Sequence, residues 1–215
     1  MVCSKFLLLL KNPKILQKHN LNTTRAVIYI KNMVSNSCIK LVKQELERTG
    51  FIEVLRVELG EAHIQYDSQI INNEVLNNIL KQNNFELIPD ANSKLIEQIK
   101  IAIINLIFYG NNGTSIVRNS DYLSEKLGHS YPHLSKLFSE KTGMTLEKYI
   151  ILIKIEKIKE LIIYDQLTLS EIAYTLGYSS VQYLSNQFKE VTGLTVSDYK
   201  SHGKRGRTPL NRIAE

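Results

Sequence analysis

A chain of 215 residues, 43% of them apolar, has material for one large or two small packed cores. Its formal charge of +6 and pI near 9.1 favour anionic partners, nucleic acid or an anionic membrane surface, without choosing between them. Two cysteines, Cys3 and Cys38, are too few for a disulfide framework and fit a reducing cytoplasm. The opening apolar run, Phe6 to Leu10, ends at Lys11. It is shorter than the ~7–15 apolar residues of a signal peptide or the ~20 that span a bilayer, so residues 1–22 are expected to be a loosely ordered leader or an overextended start, and no membrane partner is expected.

From Thr24 the pattern is periodic. Ala26, Ile28 and Ile30 alternate with Val27 and Tyr29 in a β-branched strand. Cys38, Leu41, Val42, Glu45 and Leu46 then follow helical spacing, stopped by Thr49-Gly50. Phe51 to Leu59 reads as a strand, Gly60-Glu61 as a turn and Ala62 to Tyr66 as its hairpin partner. A second amphipathic helix turns Val75, Leu76, Ile79 and Leu80 inward, and Phe85 to Ile88 is a short last strand. The order βαββαβ predicts an α+β, ferredoxin-like domain over residues 23–90, with two helices on one face of a four-stranded antiparallel sheet.

Pro89 to Ser93 reads as a linker, followed by a buried helix carrying Leu95, Ile99, Ala102, Ile103, Leu106 and Ile107. With a second break at Gly110 to Ser115, residues 91–113 form a connecting helix and loop. Beyond it, to about residue 200, the pattern is helical, predicting an all-α domain over residues 114–202.

That domain repeats itself at a spacing of 50 residues. Leu134 to Tyr149 matches Leu184 to Tyr199 at eight of sixteen positions: Leu134/Leu184, Ser135/Ser185, Phe138/Phe188, Glu140/Glu190, Thr142/Thr192, Gly143/Gly193, Thr145/Thr195 and Tyr149/Tyr199. Each copy follows a short helix and a tight turn. In the first, Asp121 is the expected cap, Leu123 and Leu127 face inward and Gly128 is the left-handed stop. In the second, Thr168 or Ser170 is the cap, Ile172, Ala173 and Leu176 face inward and Gly177 is the stop. A short helix, a Gly-containing turn and a second helix make helix-turn-helix geometry, here twice. Between the copies Thr145 to Asp165 contains no Gly or Pro. About twenty helical residues at ~1.5 Å each span ~30 Å, close to the ~34 Å between successive major grooves on one face of B-DNA.

On these residues, "LTLSEIAYTLGYSSVQYLSNQFKEVTGLTVSDYK" (Leu167 to Lys200) and "YLSEKLGHSYPHLSKLFSEKTGMTLEKYI" (Tyr122 to Ile150), the chain resembles the AraC-type transcriptional regulators from about residue 94 to 202. The resemblance implies two helix-turn-helix units joined by a long helix, double-stranded DNA as partner, and sequence-specific transcriptional regulation. Asn186 stands where that family usually has Arg, Leu184 where it has Phe, and Ile158 where it has a small residue. The first two bear on base preference and the third on the packing of the connecting helix.

In the second recognition helix Leu184, Phe188 and Val191 are expected inward, and Gln182, Ser185, Asn186 and Lys189 outward, with Gln182 and Asn186 stacked four residues apart. Gln and Asn amides pair with an adenine edge, each good bidentate contact giving ~1–3 kcal/mol of discrimination. In the first, Leu134, Leu137 and Phe138 face in, while Tyr131, Pro132, Ser135 and Lys136 face out. The expected base-edge set is therefore Tyr131, Pro132, Ser135, Lys136, Gln182, Ser185 and Asn186. Tyr149 and Tyr183 are assigned to packing, His129 and His133 to turn and surface.

From Thr114 to Tyr199 there are nine Lys or Arg against ten Asp or Glu, whereas Lys200, Lys204, Arg205, Arg207 and Arg212 face only Glu215 beyond it. Phosphate contacts are expected from Ser180, Lys189, Lys204, Arg205 and Arg207. The basic tail, residues 203–215, reads as disordered until it meets DNA.

"YIKNMVSNSCIKLVKQEL" (Tyr29 to Leu46), in its βαββαβ setting, resembles the heavy-metal-associated domain of copper chaperones and transport ATPases. That family carries Met-x-Cys-x-x-Cys between the first strand and helix. Here Met33 matches, Ser35 replaces the first Cys and Cys38 is the second. Soft ions such as Cu(I) are held by thiolates, for which a neutral hydroxyl is a poor substitute. No cofactor is expected. Cys38 is the one candidate metal ligand, needing a second from another molecule, such as a homodimer or protein partner paired through this domain. The competing function is a metal-handling or protein-interaction protein whose helical half docks a partner. No P-loop, dinucleotide fingerprint, zinc-protease motif or nucleophile triad points to an enzyme.

Overall fold

The computed structural model describes residues 23–110, 119–164, 167–201 and 206–214. The expected leader with Cys3, most of the break at Gly110 to Ser115, and Lys204 and Arg205 lie outside the described residues. Two compact units divide the chain between Glu97 and Gln98.

The N-terminal unit runs β1 (Thr23–Lys31), α1 (Asn36–Glu47), β2 (Ile52–Glu58), β3 (Glu61–Asp67), α2 (Asn73–Lys81) and β4 (Glu86–Leu87). The sheet order is β2-β3-β1-β4 with every neighbour antiparallel. Ala26 pairs with Ile64, Val54 with Ile64, and Ile30 with Leu87. Alternation along β1 sends Ile28 and Ile30 into one core with Ile52, Val54, Ala62 and Ile64. There they meet Val42 and Leu46 of α1 and Leu76 and Leu80 of α2, while Val27 and Leu55 stay exposed. Asn72 caps α2, its side chain accepting the Val75 N–H at 2.9 Å.

The expected linker is shorter than its composition implies. α3 (Ala91–Ile104) takes residues 91–93 into its first turn. Asp90 is the reason: its carboxylate accepts the Ser93 N–H at 2.9 Å and the Ser93 hydroxyl at 2.6 Å, so the Pro-Asp-x-x-Ser stretch is a capped helix start. The first turns of α3 belong to the N-terminal unit, where Lys94 Nζ lies 3.7 Å over the Tyr29 ring and Glu97 accepts the Asn32 N–H at 3.3 Å. The helix ends in a π-type turn, Asn105–Tyr109. Among the described residues, no helix is long and apolar enough to cross a membrane.

The C-terminal unit continues with α4 (Asn119–Leu127), α5 (Tyr131–Thr142), α6 (Leu146–Tyr164), α7 (Leu169–Thr175), α8 (Val181–Thr192), α9 (Val196–Ser201) and a 3₁₀ turn, Leu210–Arg212. Asp121 is not the cap of α4; the helix starts at Asn119, and Asp121 sits in its first turn. Thr168, rather than Ser170, caps α7. It forms a reciprocal box with Glu171, whose carboxylate accepts the Thr168 N–H at 2.7 Å.

The 50-residue repeat has a three-dimensional meaning. Phe138 packs on Tyr149 with centroids 5.2 Å apart, and Phe188 on Tyr199 at 5.5 Å. Thr142 and Thr192 donate to the carbonyls of Phe138 and Phe188 at 2.8 and 2.7 Å. Gly143 and Gly193 stop the two helices at φ of 69° and 75°, and Thr145 and Thr195 each accept an N–H at 3.1 Å to start the next helix. Leu134 and Leu184 are fully buried. Six of the eight shared pairs thus build the same core and caps twice, leaving Ser135/Ser185 half-buried and Glu140/Glu190 exposed.

Candidate nucleic-acid interface

Each helix-turn-helix unit places its second helix by a glycine turn. Gly128 and Gly177 stand at φ of 69° and 67°, a region costing other L-residues roughly 1–2 kcal/mol. Downstream, α5 and α8 bury equivalent faces: Leu134, Leu137 and Phe138 in one, Leu184, Gln187 and Phe188 in the other.

Most of the expected base-edge residues lie on the faces opposite. Pro132 and Lys136 are exposed and Ser135 half-buried on α5; Gln182 and Asn186 are exposed and Ser185 half-buried on α8. Lys136 sits 3.9 Å from Glu140, with both side chains well exposed, a contact too weak to withhold the ammonium from DNA. Gln182 Nε2 donates to Asn186 Oδ1 at 2.9 Å. That bond leaves the Gln182 carbonyl and the Asn186 amide N–H groups to present one acceptor and two donors, the complement of adenine's N6 donor and N7 acceptor.

Tyr131 is tied down: its hydroxyl donates to Glu147 at 2.7 Å, and burial, then the Glu147 carboxylate, push its pKa well up. It anchors the start of α5 to α6 and keeps its proton. Ser180 is the N-cap of α8, its hydroxyl oxygen accepting the Tyr183 N–H at 3.1 Å, and its O–H remains available to a phosphate. Lys189 is exposed in the last turn of α8.

Three expectations are corrected. Val191 does not face inward but is 38% exposed, and its place in the core is taken by Gln187, whose Oε1 accepts the Tyr178 hydroxyl at 2.7 Å. Tyr183 is neither core nor partly buried; it is 53% exposed beside Gln182, its ring 5.8 Å from that of Tyr178. The first copy's inward triplet maps onto Leu184, Gln187 and Phe188, so the repeat carried this signal while residue type argued against it. The third concerns the tail: Arg207, expected on phosphate, is partly exposed and pairs with Glu160 at 3.0 Å, which does not test that role. It belongs to a docked stretch, residues 206–214. There the Gly206 carbonyl accepts from Lys159 at 2.7 Å, the Thr208 N–H donates to Glu156 at 3.0 Å, and Ile213 is buried. The expected disorder of the tail does not hold for this stretch, because the Glu156–Lys159 pair on α6, 2.7 Å apart, is itself buried and takes its remaining hydrogen bonds from the tail backbone.

In the N-terminal unit Ser35 precedes α1, and its hydroxyl lies 3.5 Å from Cys38 Sγ. Met33 is buried in the core. Among the described residues, no three His, Cys, Asp or Glu side chains cluster to hold a metal. A neutral hydroxyl beside one thiol does not make the two-thiolate chelate that a soft ion requires.

Residues 123–202 match a family described as helix-turn-helix domain. The xylose operon regulatory protein of Escherichia coli K12 is 31% identical over 99 residues, which are 46% of this chain and 25% of that protein. An uncharacterized HTH-type transcriptional regulator in the cgkA 5′ region of Pseudoalteromonas carrageenovora is 30% identical over 107 residues, 48% of this chain and 63% of the relative. Among solved structures, the C-terminal domain of AraT, a response regulator from Geobacillus stearothermophilus, is similar at 21% identity and a TM-score of 0.44, over 54% of this chain and 92% of that one. The chain spans a quarter of the first relative's length and under two thirds of the second's. Its C-terminal unit carries a helix-turn-helix domain.

Proposed function

We propose that a chain built around this domain is a sequence-specific transcriptional regulator of the cytoplasm, whose two recognition helices, α5 and α8, enter successive major grooves of one duplex. The observation that carries the reading is the helix between the units. α6 is unbroken over 19 residues, about 28 Å at ~1.5 Å per residue, against the ~34 Å from one groove to the next. Because one chain holds both units, binding does not require pairing, and a homodimer or protein partner would act through the N-terminal unit. Selection from a pool of random duplexes tests the reading. Enrichment of a bipartite site with halves about one helical turn apart is expected; absence of enrichment at low salt refutes it and favours a helical half that docks protein.

The N-terminal unit is read as ferredoxin-like, supported by its βαββαβ order and by a sheet order of β2-β3-β1-β4. Its heavy-metal-associated character extends to the arrangement of elements and not to the chelate, since Ser35 leaves Cys38 as a single thiol. Titration of the full chain with Cu(I) is expected to give no stoichiometric one-chain complex. Uptake that disappears in Cys38→Ser would overturn this.

A further inference from the structure

The two recognition helices are attached to the connecting helix by different devices. At the start of α6, Glu147 takes the hydroxyl of Tyr131, in the first turn of α5. Two turns further on, Lys154 reaches across to the second unit: its Nζ donates to the Leu176 carbonyl at 2.7 Å and lies 5.2 Å from the centre of the Tyr178 ring. Leu176 is the C-cap of the first helix of that unit, α7, and Tyr178 is in the turn after Gly177. An ammonium at a helix C-terminus meets both an orphan carbonyl and the negative end of the helix dipole, and the aromatic face adds a cation–π contact. Tyr178 then passes the connection on, its hydroxyl donating to buried Gln187 of α8 at 2.7 Å, while its ring lies 5.8 Å from that of exposed Tyr183. One cation thus joins α6, the turn and α8 in series. Burial holds the lysine pKa below its ordinary value, as expected for an amine drawn out of water.

We infer that Lys154 is the positioning residue of the second helix-turn-helix unit, fixing the turn through Leu176 and Tyr178 and so setting the angle at which α8 meets its half-site. This rests on the DNA-binding reading, and the experiment has one arm that needs no DNA. Lys154→Met keeps the length of the side chain and removes the charge. Hydrogen exchange on the full-length variant is expected to show faster exchange in residues 176–183 with residues 127–133 unchanged. In duplex competition the half-sites are first assigned with Asn186→Ala and Lys136→Ala. Lys154→Met is then expected to lose discrimination about tenfold at the α8 half-site, the scale of one misplaced bidentate contact, and less than about twofold at the α5 half-site. Lys154→Arg, which keeps a cation and donors, restores it. Tyr178→Phe removes only the hydroxyl link to Gln187 and is expected to give a smaller loss with the same bias, which preserves the test if Lys154→Met does not fold. Equal losses at both half-sites, unchanged discrimination, or unchanged exchange in residues 176–183 overturns the inference. A wild-type chain without sequence preference refutes the DNA-binding reading itself, and the exchange arm still reports whether the brace exists.

Discussion

Ending the chain at residue 205 should unfold the C-terminal unit at a lower temperature, because residues 206–214 complete a buried polar group instead of hanging free. Glu156 and Lys159 are 4% and 8% exposed, and their hydrogen bonds to Thr208 and Gly206 are charge-assisted, a class contributing about 1.5–3 kcal/mol each. Truncation also lets water reach the pair, so the lower end applies. Ile213, 8% exposed, adds about 1.5–3 kcal/mol of lost burial. The exposed Arg207–Glu160 pair adds little. The expected cost is about 4.5–6 kcal/mol against a total stability typically of about 5–15 kcal/mol, a fall in Tm of about 15–30 °C for a unit of this size. Calorimetry on the full-length and truncated chains measures it. A control carrying Lys204→Gln and Arg205→Gln leaves the docked stretch in place and should melt with the parent. A truncated chain melting within about 2 °C of the parent would refute the reasoning.

Asn186→Ala should cost ~1–3 kcal/mol of discrimination at one base pair, whereas Lys189→Gln should weaken binding evenly on all sequences and reduce the slope of log K against log salt by about 0.9; a binding titration across salt concentrations separates the two. Gly193→Ala meets no atom within 4 Å, so its cost is the left-handed backbone at φ +75° alone, about 1–2 kcal/mol by denaturant unfolding; a neutral result would mean that the helix end can change its conformation. Glu171 has its pKa lowered, first by the Thr168 backbone N–H and then by the Thr168 side chain. A carboxylate whose folded pKa lies below its unfolded value contributes stability above the unfolded pKa and loses it as pH falls through the folded one. The acid limb of the stability profile should therefore flatten in Glu171→Gln, and an unchanged limb would remove the capping box as a source of acid sensitivity.

What was legible in the sequence was local. The strands and helices of the N-terminal unit follow from periods of two and 3.6, and the connecting helix from a stretch without Gly or Pro. Pro89 to Ser93 has the composition of a linker and the structure of a helix start, because the residues that make turns, Asp and Ser among them, also cap helices. Val191 follows the inward spacing set by Leu184 and Phe188, but the repeat places Gln187, the counterpart of buried Leu137, in the core instead, and Tyr183, the counterpart of exposed His133, outside it. The docking of residues 206–214 had no local signal. Gly, Pro and four basic residues describe a disordered tail well, and what holds the stretch is a pair of charged groups on α6 about fifty positions away, whose burial only the folded unit reveals. Lys154 is likewise one basic residue among nine in the sequence, because its partner is a backbone carbonyl 22 residues later, and backbone groups leave no mark in a composition.

The distribution of difference between the two copies bears on what the protein recognises. At six of the eight pairs where they agree, Leu134/Leu184, Phe138/Phe188, Thr142/Thr192, Gly143/Gly193, Thr145/Thr195 and Tyr149/Tyr199, the side chains are buried, cap a helix or stand at φ > 0, while half-buried Ser135/Ser185 and exposed Glu140/Glu190 are also kept. Where they differ on the exposed face, Pro132, His133 and Lys136 stand opposite Gln182, Tyr183 and Asn186. A lysine favours guanine or a phosphate and a Gln–Asn amide pair favours adenine. On the proposed reading the same scaffold presents two chemistries, and an asymmetric operator is the expected outcome of selection from random duplexes, because no rotation of one half-site onto the other preserves the contacts. A dimer of identical single units would read a palindrome. Under the proposed function, a repeat kept in its core and altered at these outward positions is expected to read a directional site, and a palindromic consensus from the selection would refute that.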